Sequence, residues 1–188
     1  LHLCVTNLEN ININKNINKD TLLADVCLAA KHEGQSITQD YPKYQATYGY
    51  SPSQICTMLA RSFADIGDIV RGKDLYLGYD DEEKEKRKQL EKNLKKFFQK
   101  IHSDVTKNNG ALKTRYQDKN GGNFFKLREY WWALNRDQVW KAITCDATMK
   151  DTYFKTSSGG EYKFTSGYCG RDETDVPTNL DYVPQYLR

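Results

Sequence analysis

Two aspartates spaced three residues apart are the first side chains in this sequence that could carry out chemistry together. Asp65 and Asp68 lie in a segment of helical periodicity, so both carboxylates share one face and could bind a metal ion or divide acid–base work. Arg61 precedes Asp65 by four residues and Arg71 follows Asp68 by three, so ion pairs within the same helix compete with that role. The ion-pair interpretation is favoured, and we predict no metal site and no cofactor.

The histidines and the short motifs give no support to an enzyme. His2, His32 and His102 are isolated, and none lies in a metal-binding H-E-x-x-H or beside a cysteine in a nucleophile motif. The sequence contains no G-x-S-x-G, no phosphate-binding P-loop and no G-x-G-x-x-G. It therefore predicts no catalytic residue. The net charge of +3 is too small to indicate a nucleic-acid partner.

One lysine-rich segment carries the only sharp electrostatic feature. Apolar residues recur at helical spacing between residues 83 and 105, and the face opposite to them is basic. The basic face consists of Lys88, Lys92, Lys95, Lys96 and Lys100. A row of ammonium groups suits an extended polyanion such as a sulfated glycosaminoglycan, which releases counterions on binding as nucleic acids do. The alternative is a solvated face that only keeps the helix soluble.

The cysteines and tryptophans leave their interpretations open. The five cysteines are Cys4, Cys27, Cys56, Cys145 and Cys169. Their wide spacing, without a C-x-x-C pair, fits long-loop disulfides in an oxidising compartment, although free thiols in a cytosolic protein remain the alternative. The odd count indicates that one partner lies outside the sequence. Trp131, Trp132 and Trp140 could stack on a sugar, but the helical spacing favours a core position for Trp131 and Trp140.

The elements that must position these side chains are helices. The hydrophobic periodicity predicts helices over residues 20–33, 52–71, 83–105, 124–134 and 136–148. Asp20 or Thr21 is expected to cap the first helix and Gly34 to end it. The second should begin at Ser51, with Gln54 completing a capping box, and end at Gly72.

The same reasoning places the remaining boundaries. Asn135 and Gln138 form a further capping-box pattern, which separates the fourth helix from the fifth. Residues 35–50 and 107–123 are expected to be polar loops, and residues 151–181 a long loop with a hairpin between residues 153 and 164. The fold class is therefore mainly α, a helical bundle with long loops.

Four segments together resemble one family. In sequence order they are residues 20–34 (DTLLADVCLAAKHEG), 56–72 (CTMLARSFADIGDIVRG), 125–136 (FKLREYWWALNR) with 139–145 (VWKAITC), and 181–188 (DYVPQYLR). They resemble the alpha class of Duffy-binding-like domains in the erythrocyte membrane protein 1 family of the malaria parasite Plasmodium falciparum. The tripeptide Arg128-Glu129-Tyr130, with only Cys145 and Cys169 between Ala60 and Leu187, is similar to the subgroup associated with rosetting.

This resemblance implies a partial domain and a disulfide pattern. Residues 1–50 would be the end of the first subdomain, and residues 51–188 the second, helical-bundle subdomain. Cys56 would bond to Cys169 and Cys27 to Cys145, while Cys4 would stay single.

The resemblance also implies a binding module and not an enzyme. It would be exposed on the infected erythrocyte by a membrane-anchored parent protein. The expected partners are erythrocyte receptors such as heparan sulfate-like chains, blood-group glycans or complement receptor 1, together with host antibodies. The alternative is a structural segment that scaffolds a receptor site located elsewhere in the parent protein.

Overall fold

The structure is a computed structural model that describes residues 8, 18–49, 51, 53–76, 78–119, 121–156 and 161–188. Within these residues the helices are α1 (Lys19–Tyr48), α2 (Gln54–Arg71), α3 (Asp81–Thr106), α4 (Gly110–Arg115) and α5 (Phe125–Ile143). Strands β1 (Phe154–Thr156) and β2 (Tyr162–Phe164) form an antiparallel hairpin in which Phe154 pairs with Phe164. Three short 3-10 turns follow, at Tyr168–Gly170, Leu180–Tyr182 and Gln185–Leu187. The prediction of a mainly α fold is confirmed.

Helices α1, α2 and α5 enclose the core, and α3 packs against them through its apolar stripe. Phe63 of α2 lies between two tryptophans of α5, with ring centroids 5.2 Å from Trp132 and 5.3 Å from Trp140. Phe98 of α3 meets Trp131 edge to face at 6.1 Å. All three tryptophans are buried, so the core interpretation of Trp131 and Trp140 is correct and extends to Trp132. Burial of such large rings supplies much of the hydrophobic stabilisation of the bundle.

Helix α1 extends far beyond the predicted boundary at Gly34. It continues through Pro42 to Tyr48, so the loop predicted over residues 35–50 is helical as far as Tyr48. Gly34 does not end the helix: a Cβ at this position would lie 2.0 Å from the carbonyl oxygen of Ile143. The glycine is therefore where the backbones of α1 and α5 touch. Asn18 caps the helix in a capping box with Thr21, in place of the predicted Asp20 or Thr21.

Two other predicted helix starts are wrong. Asn135 does not begin a new helix, because α5 continues through it and its side-chain Nδ2 donates to the carbonyl of Trp131 at 2.7 Å. At α2, the residue before the helix is Ser53 instead of Ser51, and no side chain caps the helix. The Gln54 Oε1 atom accepts no hydrogen bond. The predicted stop at Gly72 is confirmed, since Gly72 adopts a left-handed φ of 73°.

One disulfide crosses the molecule. Cys56 at the start of α2 bonds to Cys169 in the late loop, with Cα atoms 5.5 Å apart, which is the pairing that the resemblance implied. The second implied bridge is not formed, and Cys27 and Cys145 are free thiols. The Cys145 Sγ atom instead donates to Asp146 Oδ1 at 3.4 Å. Cys4 lies outside the described residues.

Burial and the nearby charge of Asp137 raise the pKa of the Cys27 thiol to about 11. The pKa of Cys145 is also raised, by burial and by Asp146. Both cysteines are therefore thiols and not thiolates at neutral pH. In the part of the chain that the structure describes, no helix is long and apolar enough to cross a bilayer.

Candidate functional site

A groove of about 970 Å³ runs beside the lysine-rich helix α3. One side is formed by α3 itself, and the other by Phe124 and Phe125 at the start of α5. Leu90 of α3 and Ile69 of α2 add apolar surface between them. The groove therefore lies where three helices meet, a common position for a ligand site in a helical bundle.

Four of the five predicted lysines line this groove. Lys88, Lys92 and Lys96 follow one another at four-residue intervals, and Lys95 lies between the last two. Since a helix rises 1.5 Å per residue, Lys88 and Lys96 are about 12 Å apart along the axis. Lys100 lies outside the groove and pairs with Asp104 at 3.1 Å. Lys84, which the sequence analysis did not select, lines the groove as well.

The two carboxylates in the groove wall are already neutralised by arginines. Asp74 Oδ2 accepts from Arg87 Nη1 at 2.9 Å. Glu91 accepts from Arg128 Nη1 at 2.8 Å and from Nη2 at 2.9 Å, a bidentate pair. The bidentate pair has a fixed geometry, so Glu91 stays with Arg128 instead of neutralising the lysines, and Asp74 is held by its single bond to Arg87.

The central lysines keep their charge without a partner. Lys92, Lys95 and Lys96 make no ion pair within the described residues, whereas Lys88 is 3.6 Å from Glu85 and Lys84 is 3.2 Å from Asp81. Those two pairs are between exposed side chains, so they contribute little and are screened by salt. The groove is therefore a cationic surface with apolar side chains beside it.

Arg128 is the residue that sequence reasoning undervalued. Its side chain is fully buried, and its Nε donates to the Val70 carbonyl at 2.7 Å and its Nη2 to that of Ile69 at 3.1 Å. Both carbonyls belong to the last turn of α2, where few backbone N–H donors remain, and that of Ile69 accepts in addition from the Gly72 N–H at 3.1 Å. One side chain thus joins α2, α5 and, through Glu91, α3. The sequence offered only its place in the Arg128-Glu129-Tyr130 tripeptide.

The aspartate pair forms a structural ion network. Arg188 donates to Asp65 Oδ1 at 3.1 Å and also to Asp68, and Arg71 bonds Asp68 Oδ1 at 2.9 Å. Pairing of Asp68 with Arg71 was predicted, but Asp65 pairs with the distant Arg188 instead of the exposed Arg61. Among the described residues, no group of three or more His, Cys, Asp or Glu side chains is placed to hold a metal ion.

Burial has the largest effect on the pKa values of Asp65 and Asp68. It raises the pKa of Asp65 to about 6, with the charge of Arg188 opposing the shift. The pKa of Asp68 is raised for the same reason, against Arg188 and Arg71. The two histidines that the structure describes contribute no site, since His32 is exposed and His102 packs its ring on Phe124 at 5.2 Å. His2 is outside the described residues.

The structure is a disulfide-linked helical bundle whose long C-terminal loop folds back on its second helix. These features define the class of structure, a Duffy-binding-like fold. The family model described as the Duffy binding domain matches residues 1–188. The chain belongs to the Duffy binding domain family. Members of this class are binding modules, so the chain is not an enzyme.

Several solved structures are similar over the whole chain. The NTS-DBL1(alpha-1) domain of Plasmodium falciparum erythrocyte membrane protein 1 (PfEMP1) from the varO strain is 42% identical, with a TM-score of 0.78, over 99% of this chain and 40% of that one. The ICAM-1-binding DBLbeta domain of the PfEMP1 IT4var13 is 34% identical, with a TM-score of 0.72, over 100% of this chain and 39% of that one. The chain thus spans about two fifths of these relatives. No curated protein matches it.

Proposed function

We propose that the chain is part of a host-cell adhesion module that binds erythrocyte receptors, and that the groove beside α3 binds sulfated glycosaminoglycan such as heparan sulfate. The observation that carries the ligand class is the charge of the groove. Among the described residues Lys92, Lys95 and Lys96 have no ion-pair partner, while the carboxylates Asp74 and Glu91 are held by arginines.

The physical basis is counterion release. A sulfated chain that contacts several ammonium groups displaces condensed cations, and the binding free energy grows with each contact. Lysine is a flexible point charge without a bidentate geometry, so the surface should accept many sulfation patterns and depend steeply on salt. This behaviour suits an adhesin that meets heterogeneous cell-surface chains.

The similarity to receptor-binding relatives supports the wider proposal. A DBLbeta domain of PfEMP1 is described as bound to human ICAM-1, which places host receptors among the ligands of the family. We extend this to erythrocyte receptors, with blood-group glycans and complement receptor 1 as further candidates and host antibodies as additional partners. The parent protein would be membrane-anchored and display this chain on the infected erythrocyte. Residues 1–50 and 51–188 would belong to successive subdomains.

The decisive experiment compares two lysine triples on heparin-agarose. Replacing Lys92, Lys95 and Lys96 with Gln should shift elution to markedly lower salt, since three unpaired charges leave the groove. The matched control replaces the exposed Lys31, Lys141 and Lys150, which changes the net charge equally outside the groove. Circular dichroism checks that both variants are folded. Equal elution of the two triples would contradict the proposed site.

A structural role is the second candidate, and the C-terminal segment favours it. Asp181 accepts from Trp132 Nε1 and from Arg136 Nε, both at 2.8 Å, and so fastens residues 181–188 to the bundle. Such a segment could present other parts of the parent protein in a fixed orientation. If the wild-type chain does not bind to heparin or to erythrocytes at physiological salt, this scaffold is the better interpretation.

A further inference from the structure

The groove beside α3 has aromatic and apolar surface in addition to its lysines. Phe125 is 38% exposed, and its ring lies so close to Gly72 that a Cβ there would be 3.1 Å from Phe125 Cε1. One edge of the ring is therefore fixed against the end of α2, while other parts of it remain accessible. A ligand that is bound by charge alone would gain nothing from contact with this aromatic ring.

The backbone before Phe125 is held in an uncommon conformation. Phe124 has a φ of 51°, in the left-handed region that side chains with a Cβ rarely adopt. Asp118 holds this turn by accepting from the backbone N–H of Gly122 and, at 3.4 Å, from that of Phe124. A Cβ at Gly121 or Gly122, which also line the groove, would meet nothing within 4 Å, so the groove is open at these two glycines.

A sulfated sugar matches both kinds of surface. The C–H face of a pyranose ring is apolar and packs on an aromatic ring, and sulfate groups project from its edge. The volume of about 970 Å³ is at the upper end of the range for compact ligands and is far too small for a polysaccharide. The lysine row from Lys88 to Lys96 is also short, about 12 Å.

We propose that the groove is a bounded site for a short sulfated oligosaccharide, with one sugar face against Phe125 and sulfates on Lys92, Lys95 and Lys96. This inference rests on the proposed function and makes it more specific. Phe125 is then a specificity-determining residue that contributes through its ring face and not through charge. The rest of a longer polysaccharide would extend beyond the groove into solvent.

The test measures affinity for heparin fragments of defined length by calorimetry. Affinity per binding site should rise from the disaccharide to the tetra- or hexasaccharide and then level off. Phe125→Ser should weaken hexasaccharide binding about tenfold, a loss of about 1.4 kcal/mol. It should leave the slope of log K against log salt unchanged, because no charge is lost.

Three further variants make the test decisive. Phe125→Leu keeps an apolar side chain beside the end of α2 but lacks a ring, so it should weaken binding even if Phe125→Ser does not fold. Phe164→Ser removes an exposed ring on the hairpin and should leave binding unchanged. The triple Gln variant of Lys92, Lys95 and Lys96 should reduce the salt slope.

Affinity that keeps rising up to the decasaccharide, together with unchanged binding by Phe125→Leu, would overturn the bounded site. The proposed glycosaminoglycan function would then still stand as binding to a charged face. Absence of any salt-sensitive binding to heparin in the wild-type chain would overturn both.

Discussion

At the scale of single residues, Arg128 connects the candidate site to the core. Its guanidinium is fully buried and satisfies the carbonyls of Ile69 and Val70 as well as the carboxylate of Glu91. By pairing with Glu91, which lines the same groove as Lys92, it compensates the negative charge of that carboxylate. The same side chain therefore stabilises the junction of three helices and preserves the positive charge of the groove.

Removal of Arg128 should cost stability. Arg128→Leu leaves the buried Val70 carbonyl without its donor and Glu91 without its partner, and we expect a loss of about 3 kcal/mol in the free energy of unfolding. The loss stays at the lower end of the range for buried pairs because Glu91 is 37% exposed and can be rehydrated. Urea denaturation measures it. Arg61→Leu, at an exposed position of α2, is the control and should stay within about 0.5 kcal/mol.

The raised pKa of Asp65 predicts that the stability of the protein changes with pH in a definite direction. This pKa is raised from 3.8 to about 6, so the folded state binds a proton more tightly than the unfolded state does. The stability that this group contributes is fully present below about pH 4 and is lost as the pH rises through about 6. Asp65→Asn lacks this dependence, so its stability relative to wild type should be higher at pH 7.5 than at pH 5.

Thermal unfolding at the two pH values measures the difference, and the comparison with wild type cancels the titrating groups that do not interact with Asp65. Asp175→Asn, at an exposed position, serves as the control and should track the wild type at both pH values. A relative stability of Asp65→Asn that is the same at pH 5 and pH 7.5 would contradict a raised pKa at this site.

At the scale of elements, packing between helices overrode the local signals for helix ends. Three residues of types that commonly start or end helices lie inside a helix instead, and they are Gly34, Pro42 and Asn135. Gly34 is required for close approach of α1 to α5, and Asn135 satisfies its side chain on the preceding turn. Gly72, in contrast, acts as its type indicates, because there the chain needs a positive φ.

The close contact between α1 and α5 at Gly34 can be tested by adding one methyl group to this residue. Gly34→Ala would place its Cβ 2.0 Å from the Ile143 carbonyl oxygen, so α1 and α5 must separate. We expect a loss of about 2–3 kcal/mol, as for overpacked cores. Gly110→Ala is the matched control, since its Cβ would meet nothing within 4 Å and alanine favours a helix. If both variants unfold at the same urea concentration, the close approach is incorrect.

At the scale of the whole molecule, the late loop is tied back to α2 at both ends of that helix. The disulfide from Cys56 to Cys169 holds it near the N-terminus of α2, across 113 residues of sequence. Arg188 and Asp181 fasten the last residues near the C-terminus of α2, through Asp65, Asp68 and the Arg71 side chain. A loop that would otherwise be free is thereby made part of the bundle.

Loss of the disulfide should therefore lower stability strongly. Replacing Cys56 and Cys169 together with Ala releases a loop of more than a hundred residues, and the chain-entropy model gives a loss of about 4 kcal/mol. Guanidinium denaturation measures the loss. Cys145→Ala is the control, because Cys145 is a free thiol, and it should change stability by less than about 1 kcal/mol. A loss of similar size in Cys145→Ala would indicate that Cys145 is bridged in solution.

The sequence by itself determined the helical class, the amphipathic face of α3 and the end of α2. These follow from local periodicity and from the glycine at residue 72, which act within a few turns of one helix. The resemblance to known domains added the family and the pairing of Cys56 with Cys169, which spacing alone left open. The lysine row was also visible in the sequence, since residues four apart share a helix face.

Only the tertiary structure decided that these lysines line a groove with Phe124 and Phe125, and that Arg128 compensates the charge of Glu91 in its wall. It also decided that α1 continues through Gly34 and that Asp65 pairs with Arg188, 123 residues away in sequence. The physical reason is the same in each case. These contacts join residues far apart in the chain, and their energies depend on burial and on distances that no local pattern encodes.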